Sequence, residues 1–174
     1  MNVLPAHSAH LSIPGFYPPA NEMAFSHSPP SHQVQERKRA NRDAKLKPFR
    51  PAGALNVELH FTEKERSILR GDATVIADMI RKRVYTSFDV LKAFVKAAIA
   101  AQDATNCLSE ICFEEAFTRA KELDDHLAET GEVVGPLHGV PVSIKDHIKV
   151  KGLDTSTGYT GGWTPQMGDP MLTL

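Results

Sequence analysis

The sequence predicts an α/β fold, and three observations carry that prediction. From residue 62 to residue 130 apolar residues recur at helical spacing, in one-sided stripes that each need a packing partner. Between residues 106 and 148 the pattern runs from loose alternation to helical spacing and then to a β-branched run, the order strand, helix, strand. That order predicts a βαβ unit with a right-handed crossover and a mixed or parallel sheet. The first 31 residues have no period at all and stand outside the domain.

Those first residues hold Pro5, Pro14, Pro18, Pro19, Pro29 and Pro30, with His7, His10 and His27 scattered among serines. Such sequence buries too little apolar area to offset chain entropy, so a disordered tail is expected over 1–31 and a domain over 32–174. The irregular histidine spacing, without cysteines, does not make a metal site. Residues 33–47 read as a charged helix that Pro48 and Pro51 stop. Arg37, Lys38, Arg39 and Arg42 give it the look of a DNA-binding basic region, but prolines follow where a leucine heptad run would have to. The expectation is a solvated surface helix and no nucleic-acid partner.

Thr62 with Glu65 makes a capping box, so a short helix should run to about Arg70 and stop at Gly71. Asp72 caps the next, whose stripe is Val75, Ile76, Met79 and Ile80. Thr86, three residues before Asp89, starts a third, with Val90, Leu91, Phe94, Val95 and Ala98 on one face. Residues 106–112 alternate loosely and read as a short strand. Phe113, Ala116, Phe117, Ala120, Leu123 and Leu127 then line one side of a helix that Gly131 closes. Val140 to Ile148 forms the second strand.

An apolar share of 41% and a net charge of −1 over 174 residues are ordinary for a globular protein and select no charged partner. No apolar run approaches the roughly 18–20 residues of a membrane span, and Met1 to His10 lack a secretory pattern. The expectation is a cytoplasmic protein with no membrane partner. Cys107 and Cys112 fit neither a C-x-x-C pair nor a disulfide framework and read as buried free thiols.

The chemistry is carried by Gly135-Pro-Leu-His-Gly-Val-Pro-Val-Ser-Ile-Lys-Asp-His-Ile148, which puts a lysine inside an apolar, β-branched run. A lysine titrates near about 10.4, and one meant to accept a proton near pH 7 must be shifted by burial, at roughly 1.36 kcal/mol per unit. In a strand Val142, Ile144 and Asp146 share one face, and Ser143, Lys145 and His147 the other. Asp146 and His147 therefore cannot make an orienting Asp-His pair. Ser143 lies about 6.6–7 Å from Lys145 along the strand, which leaves a local Ser-Lys dyad open. Gly152 to Gly162 has neither phosphate-loop pattern, so no nucleotide is expected.

G-P-L-H-G-V-P-V-S-I-K-D, followed by Lys151-Gly-Leu-Asp154 and Thr155-Ser-Thr-Gly-Tyr159, resembles the amidase signature family, nearest its fungal acetamidase-like members. The resemblance implies a layered helix, sheet, helix fold and hydrolysis of a small carboxamide through an acyl-enzyme, with no metal or cofactor. It implies a Ser, cis-Ser, Lys triad in which Lys145 is the general base. The two serines belong to a G-G-S-S-G-G type of segment that the 174 residues do not contain. The expectation is thus an incomplete amidase-signature fold, N-terminal helices plus the start of a mixed sheet, truncated before the nucleophile. Met171 to Leu174 reads as an apolar helix cut after one turn. The alternative is a catalytically inactive remnant serving as a small interaction protein. His147 departs from the amide residue often found after the Lys-Asp pair, and oligomeric state has no signature in the sequence.

Overall fold

The computed structural model describes residues 31–50 and 61–158. Apart from Ser31, which opens a helix, the tail expected over 1–31 lies outside those residues. Five α-helices are formed: α1 (Ser31–Leu46), extended by a 3-10 turn (Lys47–Phe49), α2 (Glu63–Arg70), α3 (Ala73–Arg81), α4 (Ser87–Thr105) and α5 (Phe113–Thr130).

Each short helix begins where a side chain can take up the free amides of a first turn. Thr62 Oγ1 accepts from the Glu65 amide at 3.2 Å while Glu65 accepts from the Thr62 amide at 2.7 Å, the reciprocal pair expected of the capping box. Asp72 accepts from the Val75 amide at 2.8 Å, and Thr86 from the Asp89 amide at 2.9 Å. Gly71 closes α2, and Gly131 closes α5 with φ at +74°, the left-handed region that glycine enters without penalty.

α4 is the spine. One of its sides, through Leu91, Val95 and Ile99, packs with Leu46, Ile111 and Ala120; another, through Val90 and Ala93, packs with Ile68, Ile76, Ile80 and Leu127. Phe49, from the turn after α1, lies edge-on to Phe113 at 5.4 Å and stacked on Phe117 at 5.8 Å, which closes the first cluster.

α1 departs from the solvated helix of the sequence reading. Its polar face is exposed, but Leu46 is fully buried and Val34 nearly so. Lys38 Nζ meets Glu110 at 2.9 Å and Asp154 at 2.7 Å, and Arg50 meets Asp103 at 2.6 Å. Burial lowers the Lys38 amine, and the two carboxylates more than offset it, leaving it above the ordinary lysine range. Of the basic residues that gave α1 the look of a nucleic-acid helix, Lys38 and Arg42 thus hold it to its own domain.

The strand expected over 106–112 is not formed. Its backbone groups are taken by side chains: the Leu108 amide donates to Gln102 Oε1 at 2.7 Å, and the Leu108 carbonyl accepts from Arg42 Nη1 at 2.9 Å. Asn106, at φ +51°, turns the chain out of α4, and its side chain is bound by Arg42 and by buried Gln102. With those groups occupied no ladder can form. Cys107 and Cys112 are free, as expected, but not buried: the first is exposed and the second half-buried, because both ride on this loop.

Residues 140–145 have no regular structure, 145–148 form a turn, and beyond them Val150 makes only an isolated bridge, so among the described residues the expected sheet is absent. The alternation of faces survives from 143 to 150: Ile144, Asp146, Ile148 and Val150 are turned in, and Ser143, Lys145, His147 and Lys149 out. Val142, assigned to the inner face, is 69% exposed. The side-chain pattern follows the sequence; the ladder would need a partner strand that the described residues do not supply.

Replacing Leu46 by Ala tests whether α1 is docked. The expected loss is about 2–5 kcal/mol, read as a lowered urea midpoint; an unchanged midpoint would mean that the helix contributes nothing to the core.

Candidate functional site

The segment that carries Lys145 leaves α5 at Gly131 and is anchored before it reaches the lysine. His138 is only 3% exposed, and its Nδ1 accepts from the Val134 amide at 3.2 Å, which places the ring proton on Nε2. Nε2 is buried without a hydrogen-bonding acceptor. Burial pushes the imidazole below its ordinary value against the pull of the Asp124 carboxylate and the Leu123 carbonyl, while His126 and Arg119 act in the same direction as burial.

Next to it, Gly139 has φ at +72°, and a Cβ built there would lie 2.3 Å from Ser87 Oγ and 2.9 Å from Ile80 Cδ1. Only glycine allows this approach to the first turn of α4. At that same turn Asp124 of α5 accepts from the Ser87 amide at 2.7 Å and the Phe88 amide at 3.0 Å. With Thr86 on the Asp89 amide, the start of α4 is satisfied by side chains from two elements.

Beyond Val140 the chain makes two turns. Ile148 N donates to Lys145 O at 2.9 Å, and Leu153 N donates to Val150 O at 3.1 Å. Asp146, the residue after the lysine, accepts from Ser156 Oγ at 2.7 Å and from the Ser156 amide at 3.3 Å. Burial raises the Asp146 carboxyl, and the Ser156 hydroxyl with the amides of Ser156, Gly158 and Thr157 more than offset it, so it sits below the usual carboxylate range. Thr157 and Gly158, at φ +53° and +81°, turn the chain at that point.

Lys145 itself is exposed, as is Ser143 on the same side. No group of three or more His, Cys, Asp or Glu side chains able to hold a metal is formed among the described residues. Among them no helix is long and apolar enough to cross a membrane. The sequence reading missed Ser156, His138 and Lys38. The Thr-Ser-Thr-Gly run after a Lys-Asp pair was the available signal for Ser156, since such residues bind nearby backbone and carboxylates in turns. Lys38 had no local signal, because its partners are 72 and 116 residues away.

Residues 89–162 match the family model described as Amidase. Amidase 2 of Gibberella moniliformis is 37% identical over 147 residues, 84% of this chain and 27% of that protein. An acetamidase of Emericella nidulans is 40% identical over 114 residues, 64% of this chain and 21% of that protein. Among solved structures, fatty acid amide hydrolase matches with a TM-score of 0.65 and 28% identity, over 75% of this chain and 26% of that one. By these matches the chain is similar to the amidase signature family over its helical part and lysine segment, and it spans about a fifth to a quarter of the length of these relatives.

Two outcomes test this geometry. Gly139→Ala should destabilise by at least about 2 kcal/mol, since it adds left-handed strain to a clash with Ser87; a melting temperature equal to wild type would refute the close approach. His138 is held neutral in the fold, so its contribution is present above the unfolded histidine value of about 6.5 and is lost as pH falls through it. The urea midpoint should drop between pH 7.5 and 5.5, and His138→Gln should flatten that drop.

Proposed function

We propose that this chain is the base-bearing part of an enzyme that hydrolyses the C–N bond of small carboxamides, with Lys145 as general base. The observation that carries the proposal is the Lys-Asp segment. It lies inside the amidase match, with the lysine on the open side and the aspartate bound on the inner one. In the reaction a serine hydroxyl gives its proton, through a second serine, to neutral Lys145 Nζ and adds to the amide carbonyl. Collapse of the adduct breaks the C–N bond as the proton passes to the leaving nitrogen, giving ammonia or an amine and an acyl-serine. Water then attacks the ester, and the acid is released. No metal or redox cofactor is required by these steps.

A general base must be within reach of its proton and walled from water. Lys145 is exposed, and the 174 residues hold no G-G-S-S-G-G type of segment, so the chain by itself is expected not to turn over. The local alternative, Ser143 as nucleophile, predicts the opposite.

Purified chain should release no ammonia from acetamide above the Lys145→Ala level. Activity lost only in that variant would make Ser143 the leading nucleophile. The base role is tested by placing residues 62–158 in the Emericella nidulans acetamidase in place of its matching stretch. There Lys145→Ala should lower kcat by about 100-fold or more, and a chimera that keeps its rate without the lysine would end the proposal.

A further inference from the structure

Asp146 and Ser156 are ten residues apart, and their contact ties the Lys145–Ile148 turn to the chain that follows the Val150–Leu153 turn. The Asp146 carboxylate holds Ser156 by both hydroxyl and amide, and Asp146 is the second residue of the turn that Ile148 N closes on Lys145 O. A turn is fixed by the dihedrals of its two central residues. Holding the side chain of the first of these from outside restricts the backbone that sets where Lys145 departs from the chain.

The tether continues outward. Two residues before Ser156, Asp154 is bound by Lys38 at 2.7 Å, and Lys38 also holds Glu110 in the loop between α4 and α5. The loop that grips Asp146 is thus fastened to the helical layer, instead of moving with the segment that it holds. We infer that Asp146 and Ser156 form a clasp that positions Lys145, with Lys38 and Asp154 securing the clasp to the helices. Asp146 and Ser156 are positioning residues: they act through the turn, and neither is required to touch substrate. The role of Lys145 in the inference rests on the reading of Lys145 as the base.

Amide hydrogen exchange in the full 174-residue chain is the test. The inference expects Ser156→Ala to speed exchange of the Ile148 amide by about tenfold or more, as loss of a hydrogen bond to a charged group would. Amides of α4 should keep their protection, and Ser156→Thr, which retains the hydroxyl, should restore Ile148. Asp146→Ala, which removes the hydroxyl and the amide bond together, should speed exchange at Ile148 at least as much as Ser156→Ala, which removes only the first. If Ile148 keeps its protection in Ser156→Ala and Asp146→Ala, the clasp does not set the turn and the inference is overturned, whatever the base proves to be.

The acetamidase chimera supplies the functional arm. Ser156→Ala there should lower kcat by up to about 100-fold with KM within about twofold, the signature of a displaced catalytic group, and Ser156→Thr should recover it. A kcat unchanged by Ser156→Ala while Lys145→Ala abolishes turnover would overturn positioning and leave the base in place. Activity retained in Lys145→Ala would instead remove the base reading, while the exchange result still decides whether the clasp sets the turn.

Discussion

The capture of the first-turn amides of α4 is the constraint on which the rest depends. A helix start leaves donors that must find acceptors, and here Asp124 of α5 reaches across to take those of Ser87 and Phe88. That fixes α5 against α4 at one end, while the Leu46, Leu91 and Val95 cluster fixes α1 against α4 further along. It also defines the surface on which the lysine segment lands, because Gly139 rests on Ser87 and His138 is sealed beside it. Loss of the Asp124 contact would leave both amides without that acceptor and loosen the platform beneath Gly139 together, so the helical packing and the anchoring of the segment are one problem.

The helices were legible because their signals are local. Thr62 with Glu65, Asp72, and Thr86 with Asp89 each satisfy amides within three residues, so a short window contains both partners. The strand over 106–112 was misread for the complementary reason. Its alternation holds from Cys107 to Glu110, with Leu108 and Glu110 half-buried and Cys107 and Ser109 exposed, and buried Ile111 breaks it; Gln102 and Arg42 had claimed the backbone of Leu108, one from the preceding helix and one from a helix 66 residues away. Alternation records burial of side chains, while a strand requires free amides and carbonyls, and the sequence window held evidence only of the first.

α1 shows the same limit in its charges. Arg37, Lys38, Arg39 and Arg42 form a basic cluster in sequence, and nothing local distinguishes a cation facing solvent from one facing its own fold. Lys38 is separated from its partners by 72 and 116 residues. Its two carboxylates lie on different loops, so one ammonium joins three parts of the chain where a single exposed pair would contribute little. The face of Lys145, by contrast, was legible, because two-residue periodicity fixes the sides of an extended segment whether or not a ladder forms.

That periodicity explains why the lysine and aspartate are useful as neighbours. Adjacent residues in extended chain point to opposite sides, so the Lys-Asp pair divides two incompatible demands. A positioning group must be held in the structure by hydrogen bonds, and a group that exchanges protons with a substrate's partners must face an opening. Asp146 is turned in and gripped by Ser156; Lys145, one residue earlier, is turned out. Had the order put both on one side, the carboxylate would have been free to pair with the ammonium and stabilise its charged form, the opposite of what a base requires. The turn closed by Ile148 keeps that division, and under the inferred clasp the grip on Asp146 would let an unladdered segment present the lysine in a defined direction.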